Sequence, residues 1–226
     1  LMCEYPPELL SGVEHCYVLT YMFRCSSMRY WLDISGIKYD YVTHKQAMLR
    51  SEDEIKADVR ANLKIISNRT LDKVHRSQRN TAFSKRWFTS VKPETLRKYR
   101  GIMRSCMVAH KVNGCDIFWT TYNESKDKLI ATGYKNNHLP VNTKATNKYK
   151  DKSFCVYAAN MFPNVVDGNY IKSLGVTMTD EDVDSFTLSN LLQFIFRGTI
   201  RQNKKMKVLI LSKRVKMLLE KWLYED

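Results

Sequence analysis

Short apolar runs of strand length alternate with helical stretches in the second half of this chain, and this alternation constrains the fold more than any other feature. The clearest example is MKVLILS, residues 206–212, which is typical of a buried strand and precedes a helical pattern over 213–223. The other runs of strand length in this half are DIFWTTY, HLPVN and SFCVYAANMF. Strands that alternate with helices predict a parallel α/β sheet flanked by helices.

The chain divides into three segments by composition. Residues 1–44 contain CYVLTYMF, SSMRYWLDISG and IKYDYV, which predict an N-terminal strand–helix–strand (βαβ) unit with Gly36 as the helix stop. Residues 45–112 are strongly basic and predict mainly helices, one of which begins at Pro93. Residues 113–226 carry the alternating pattern. We therefore expect a basic helical segment between a small N-terminal unit and the sheet domain.

The charge of the chain indicates an anionic partner. Its 226 residues include 37 Lys and Arg against 23 Asp and Glu, a formal net charge of +14. Single-stranded or duplex nucleic acid fits this excess better than a membrane, because the sequence has no basic amphipathic helix with a clean lipid-facing stripe. No apolar run approaches the ~20 residues of a transmembrane helix. We expect a cytoplasmic protein, in the host cytoplasm if it is viral.

The six cysteines predict neither a metal site nor a disulfide framework. They form no CxxC pair and have no accompanying cluster of histidines, which a zinc module requires. Reduced thiols in a cytosolic protein are the expectation that follows.

The segment LSNLLQFIFRGTIRQ, residues 188–202, places three polar residues at four-residue spacing in an apolar helical run: Gln193, Arg197 and Arg201. A continuous helix would stack them on one face. Two guanidiniums in that position suit phosphate oxygens, because Arg stays ionised and its planar fork matches them. The same spacing also fits the solvated face of an amphipathic helix, so both interpretations stay open.

Residues 115–226 resemble the second RecA-like domain of superfamily 2 DEAD/DEAH-like helicases of the bacteriophage type. The resemblance is carried by DIFWTTYNESKDKL, NTKATNKYKDKSFCVYAANMF, LLQFIFRGTIR and VLILSKRVKMLLEKWL. Of these passages, LLQFIFRGTIR looks like the arginine-rich sixth helicase motif. The resemblance implies a two-lobed motor with ATP between the lobes and nucleic acid across both, in which residues 1–44 would be the end of the first lobe.

The resemblance also implies roles for the three polar residues. Arg197 and Arg201 would be arginine fingers that stabilise charge on the γ-phosphate. Gln193 would be a polar coupling residue beside the nucleotide. In the alternative, either arginine pairs with Asp182 or Asp184, and Gln193 caps a neighbouring loop.

A second group of candidates follows the predicted strands. Ligands of open α/β sheets collect at the carboxyl ends of parallel strands, and hydroxyl, amide and ammonium groups there suit a nucleic-acid backbone. The candidates are Thr120, Thr121, Thr143, Lys144, Thr146 and Asn147. For the Thr and Asn residues, capping of the next helix is the alternative.

The basic segment offers a further contact through Arg86 and Trp87. The cation would hold phosphate while the ring stacks on a base. Alternatively, the ring belongs to the buried stripe of a charged helix.

The chain has no GxxxxGK[ST] sequence, so it lacks the loop that cradles a triphosphate. The resemblance therefore implies a P-loop-bearing RecA-like domain, upstream or on a separate chain. ATP and Mg²⁺ belong only to that complete motor, and we expect no cofactor and no ATP hydrolysis for this chain alone.

Three functions compete. The leading hypothesis is the C-terminal motor half of a nucleic-acid-dependent ATPase or helicase, and the alternative is a non-catalytic nucleic-acid-binding protein on the same scaffold. The third is a nuclease that holds magnesium through clustered carboxylates. The candidate carboxylates are Asp180, Glu181, Asp182 and Asp184, which also fit the simpler role of complementing a helix N-terminus.

Overall fold

The computed structural model describes residues 6–18, 22–42, 50–141, 143 and 146–225. Its helices are α1 (Ser27–Ile34), α2 (Glu52–Asn62), α3 (Arg69–Ser77), α4 (Lys85–Ser90), α5 (Pro93–Ala109), α6 (Lys126–Leu129), α7 (Val165–Ser173), α8 (Asp180–Ile195) and α9 (Lys213–Tyr224). Its strands are β1 (Leu63–Ile66), β2 (Ile117–Thr120), β3 (Phe154–Tyr157) and β4 (Met206–Ile210). Short 3-10 helices cover Pro7–Leu10, Phe23–Cys25, Asn123–Ser125, Lys135–Asn137 and Thr199–Gln202.

The four strands form one parallel sheet in the order β1-β4-β3-β2. Every residue of β2 and of β3 is buried, which explains their continuous apolar sequences, because helices cover both faces of a parallel sheet. Buried side chains of α5, α8 and α9 belong to the same core as the strands. The predicted α/β class, a parallel sheet flanked by helices, is confirmed.

The sheet takes its first strand from the basic segment. Residues 63–66 pair with β4 along their whole length, with Lys64 beside Lys207. This strand was not predicted, because its four residues follow the last residue of α2 without a connecting loop and merge with the helical pattern. The described part of the segment, residues 50–112, is otherwise mainly helical, and α5 begins at Pro93 as expected.

Local signals at the helix ends explain α8 and α9. Thr179 and Asp182 form a reciprocal capping box at the start of α8, where three acidic residues occupy the first turn. Ser212 caps α9 by accepting a hydrogen bond from the backbone N–H of Val215. Both helices lie where the sequence predicts them.

The N-terminal βαβ unit was predicted correctly in its helix but not in its second strand. Its helix is present as α1, with Ser26 as N-cap and Gly36 in the left-handed region at φ 66°. The second predicted strand, IKYDYV, is wrong, because residues 37–42 form no strand, whereas the first, CYVLTYMF, lies partly outside the described residues. The alternation in IKYDYV instead places Tyr39 and Tyr41 against Phe23, with ring centroids 5.4 and 5.8 Å away, so the pattern reports an aromatic cluster.

The prediction of a strand at HLPVN is also wrong. This segment forms a single bridge, between His138 and Trp119 of β2, and the N–H of Leu139 donates to the carbonyl of Trp119 at 2.9 Å. Pro140 follows directly, and because proline has no N–H it cannot extend a ladder. The segment therefore covers the outer edge of β2 without becoming a strand.

Candidate nucleic-acid interface

The three polar residues at four-residue spacing do not share a helix face. Helix α8 ends at Ile195, and Arg201 lies in the following 3-10 helix, Thr199–Gln202. The break includes Gly198, where an added Cβ would lie 2.8 Å from the Sδ of Met206 and 2.9 Å from the carbonyl oxygen of Lys152. This close approach requires glycine and turns the chain toward the amino end of β4, so the prediction of one continuous face is wrong.

Arg197 is held inside the fold. It donates a hydrogen bond to the carbonyl of Thr143, and its second terminal nitrogen is buried without a partner among the described residues. Burial lowers the pKa of the Arg197 guanidinium. Gln193 is exposed and donates to the Oγ of Ser189 on its own helix at 3.0 Å. Arg197 forms no ion pair with a described carboxylate.

Arg201 is exposed and donates to the Oδ1 of Asn147 at 2.8 Å, so two residues predicted separately meet here. Thr146 is part of the same loop, where its Oγ1 accepts from the backbone N–H of Lys148 at 3.3 Å. The predicted contact at Lys144 lies outside the described residues.

Thr120 and Thr121 are wholly buried, and neither hydroxyl has a hydrogen-bond partner among the described residues. As buried groups they cannot touch a nucleic-acid backbone in this conformation, which corrects the expectation placed on them. Arg86 is exposed on α4, whereas Trp87 stacks on buried Phe83 at a centroid distance of 4.7 Å. The ring is partly buried against the core, as the structural alternative predicted.

The carboxyl edge of the sheet, where ligands were expected, is occupied by the protein's own side chains. Asn160, just beyond β3, is fully buried, and its amide donates to the carbonyls of Asn80 and Ala82. Its Oδ1 accepts from Arg214 at 2.8 Å. Arg214 also donates to Thr187 and forms an ion pair with Asp184 at 2.5 Å, so it ties α9 to α8 and β3.

The acidic candidates for a magnesium site are dispersed in the same region. Asp184 pairs with Arg214, and Asp182 serves the capping box and faces Arg29 at 3.5 Å. Among the described residues no group of three or more His, Cys, Asp or Glu side chains could hold a metal ion.

The opposite edge of the sheet, at the amino ends of the strands, carries a concentration of positive charge. Loops that precede β2, β3 and β4 bring their cations together with those of β1 and β4. We call this set the basic edge: Lys64, Lys111, Lys148, Lys150, Lys152, Arg201, Lys204, Lys205 and Lys207. Sequence reasoning missed this set, because its members come from separate parts of the chain.

Contacts between the loops establish that the basic edge is continuous. The side chain of Asn62, just before β1, donates to Asn203 at 2.7 Å, and Gln202 donates to the carbonyl of Lys150 at 3.2 Å. Lys152 donates to the carbonyl of Cys115, before β2. The four strand beginnings are therefore joined by loops that touch each other.

The cations of the basic edge outnumber the carboxylates of the same loops, which include Asp116 and Asp151. None of its cations forms an ion pair with a described acidic residue. Burial, and after it the nearby positive charges of Lys207 and Lys64, lower the pKa of His110. A cationic surface of this kind attracts polyanions.

The matching family model and the matching protein both carry the name YonV. The family model described as "YonV C-terminal Rossmann-like domain" matches residues 57–223. The SPbeta prophage-derived uncharacterized protein YonV of Bacillus subtilis strain 168 is 32% identical to this chain over an alignment of 239 positions, which covers 99% of the chain. The chain spans 55% of that relative's length. No solved structure matches the chain. In the part of the chain that the structure describes, no helix is long and apolar enough to span a membrane.

Proposed function

The chain belongs to the YonV C-terminal Rossmann-like domain family, and on this premise we propose that it is a non-catalytic nucleic-acid-binding domain whose basic edge holds the phosphate backbone. The observation that supports this proposal is a set of cations along the amino ends of the strands that form no ion pair with a described carboxylate. Membership in a superfamily 2 helicase family stays a prediction.

The dimensions of the basic edge suit a backbone. Four strands about 4.8 Å apart give an edge about 14 Å wide. One strand of a duplex rises about 3.4 Å along the helix axis for each phosphate, so an edge of this width spans at most about four phosphates. Contacts to phosphate position a strand without reading its sequence.

Part of the positive charge has a structural role as well. Helices α2, α5 and α8 end at this edge, and cations complement the negative end of a helix dipole. Lys205, for example, donates to the carbonyl of Ala61 at the end of α2. Lys64, Lys150 and Lys204 have no side-chain hydrogen bond or ion pair with a described residue, so a helix-end role does not account for their concentration at one edge.

The motor interpretation receives less support from the arginines. Arg197 is held by Thr143 and is half-buried, which leaves it poorly placed to reach a phosphate on another lobe. Arg201 lies on the basic edge, where backbone phosphate is the nearer ligand. We therefore assign Arg201 and Asn147 to the backbone contact.

The test compares two triple variants that each remove three positive charges. One is Lys64→Gln/Lys150→Gln/Lys204→Gln, at the basic edge. The matched control is Lys73→Gln/Lys92→Gln/Lys98→Gln, exposed lysines of the helical segment. Binding of a labelled single-stranded oligothymidylate is measured by fluorescence anisotropy over a series of salt concentrations.

We expect the edge variant to bind more weakly and to reduce the slope of log K against log salt by about 2, since each phosphate contact to a single strand contributes about 0.7. The control variant should keep the wild-type slope. An equal loss in both variants would mean that only net charge matters and would refute the basic edge as the site.

A further inference from the structure

A concave pocket opens at one end of the basic edge, beside the outer strand β1. Its volume is about 490 Å³, within the range of small-ligand sites. It is lined by Arg60, Ala61, Asn62, Leu63, Lys64, Ile65, Lys205, Glu220 and Tyr224. Three cations and one aromatic ring therefore surround the same space.

The ring of Tyr224 is available for stacking. It is 63% exposed at the last residue of α9, although α9 buries Leu219 and Leu223 in the core. A base stacks on an aromatic ring whatever its identity, because every base has a π-face. Tyr224 thus offers an apolar surface in a part of the molecule that is otherwise strongly cationic.

The cations around the ring keep donors that the fold does not use. Arg60 donates to the carbonyl of Leu223 at 3.3 Å and Lys205 to that of Ala61, each of which engages only part of its donor set. The ammonium group of Lys64 has no hydrogen-bond or ion-pair partner among the described residues, and the one carboxylate of the lining, Glu220, is paired with Lys216 at 3.6 Å. The pocket is therefore positively charged.

The backbone of β1 is also open on this side. Strand β1 pairs only with β4 in the described sheet, so residues 63–65, which line the pocket, have no strand on their outer edge. Unpaired backbone N–H and C=O groups can exchange hydrogen bonds with the polar edges of a base.

We propose that this pocket binds one nucleotide of a single strand, with its base stacked on Tyr224 and its flanking phosphates held by Arg60, Lys64 and Lys205. The inference rests on the proposed function and specifies its substrate class. A duplex keeps its bases stacked and paired, so it cannot place one on Tyr224. A strand fits better than a free mononucleotide, because the cations continue from the pocket along the whole edge.

The experiment measures the affinity of wild type, Tyr224→Ala and Tyr224→Phe for oligothymidylate, for an abasic strand of equal length and for a duplex. Stacking on one base predicts that Tyr224→Ala weakens oligothymidylate binding about 5- to 150-fold without changing the salt slope. Tyr224→Phe should bind like wild type. Tyr17→Ala, which alters another strongly exposed tyrosine, is the matched control and should also bind like wild type.

The two proposals fail differently. Tyr224→Ala with wild-type affinity for oligothymidylate, or equal wild-type affinity for the abasic and the base-bearing strand, would overturn the stacking site while the salt slope still supported the basic edge. Displacement of the strand by thymidine monophosphate at equal affinity would overturn the assignment to a strand. If the edge variant keeps the wild-type slope, the proposed function itself is refuted. A thermal melt of each variant verifies folding.

Discussion

The hydrogen-bonded clamp around Arg214 should contribute a large share of the stability of the domain. In Arg214→Met the aliphatic stem is kept but the guanidinium is removed, so the Oδ1 of fully buried Asn160 loses its donor. A buried acceptor without a partner costs about 1–3 kcal/mol. The ion pair with Asp184, whose side chain is 47% exposed, is screened by solvent and contributes at most about 1 kcal/mol. Together these contributions predict a loss of about 1–4 kcal/mol.

Urea unfolding followed by far-ultraviolet circular dichroism measures this loss. With an m-value of about 2 kcal/mol per molar urea, the midpoint should fall by roughly 0.5–2 M. Asp184→Asn keeps the clamp on Asn160 and should cost less than about 1 kcal/mol. Arg201→Ala, at an exposed position, should stay within about 0.5 kcal/mol of wild type.

The comparison between these variants decides the reasoning. If Arg214→Met costs no more than Arg201→Ala, the guanidinium does not lock the carboxyl edge and the assignment is wrong. Because the clamp and the basic edge lie at opposite ends of the strands, Arg214→Met should leave the salt slope of oligothymidylate binding unchanged.

Three further predictions concern the backbone, pH and ATP. Gly198→Ala should destabilise the domain by about 1–3 kcal/mol in urea unfolding, because the carbonyl oxygen of Lys152 lies 2.9 Å from the new Cβ. The control Gly168→Ala, in open space on α7, should stabilise the domain by up to about 1 kcal/mol. Similar effects of the two substitutions would refute the close approach at Gly198. Burial lowers the pKa of His75, so the folded state binds fewer protons than the unfolded state and the free energy of unfolding should fall as pH drops below about 6.5. The urea midpoint of His75→Gln should fall less steeply with acid than that of wild type. Identical pH profiles of the two proteins would contradict this. The purified chain should show no magnesium-dependent release of phosphate from ATP, and turnover that Arg197→Ala abolishes would restore the finger interpretation.

The elements that the sequence predicts well are those whose local signals agree with their surroundings. Strand β4 is a continuous apolar run that lies in the interior of the sheet, and α8 carries a complete capping box. The failures have local causes too. The four residues of β1 follow α2 without a loop, and Pro140 prevents HLPVN from extending its single bridge to β2.

The candidate site was less predictable than the fold. The spacing of Arg197 and Arg201 implies one helix face only if the helix continues, and the contact at Gly198 that ends it depends on β4 and on the loop before β3. The basic edge is composed of residues from 64 to 207, which become neighbours only when the strand order is known. Net charge indicated the kind of partner but could not place it on the molecule.

The two outer strands of the sheet are protected from self-association in different ways. On the β2 side, the segment that begins at His138 covers the edge, and its Pro140 has no N–H with which to pair another strand. On the β1 side no strand of the described residues covers the edge, and the exposed charge of Lys64 lies within it. A lysine on a free edge discourages a second chain from adding a strand there. The same side chain thus helps to keep copies of the domain apart, so an apolar residue at position 64 would turn an open edge into a template for aggregation.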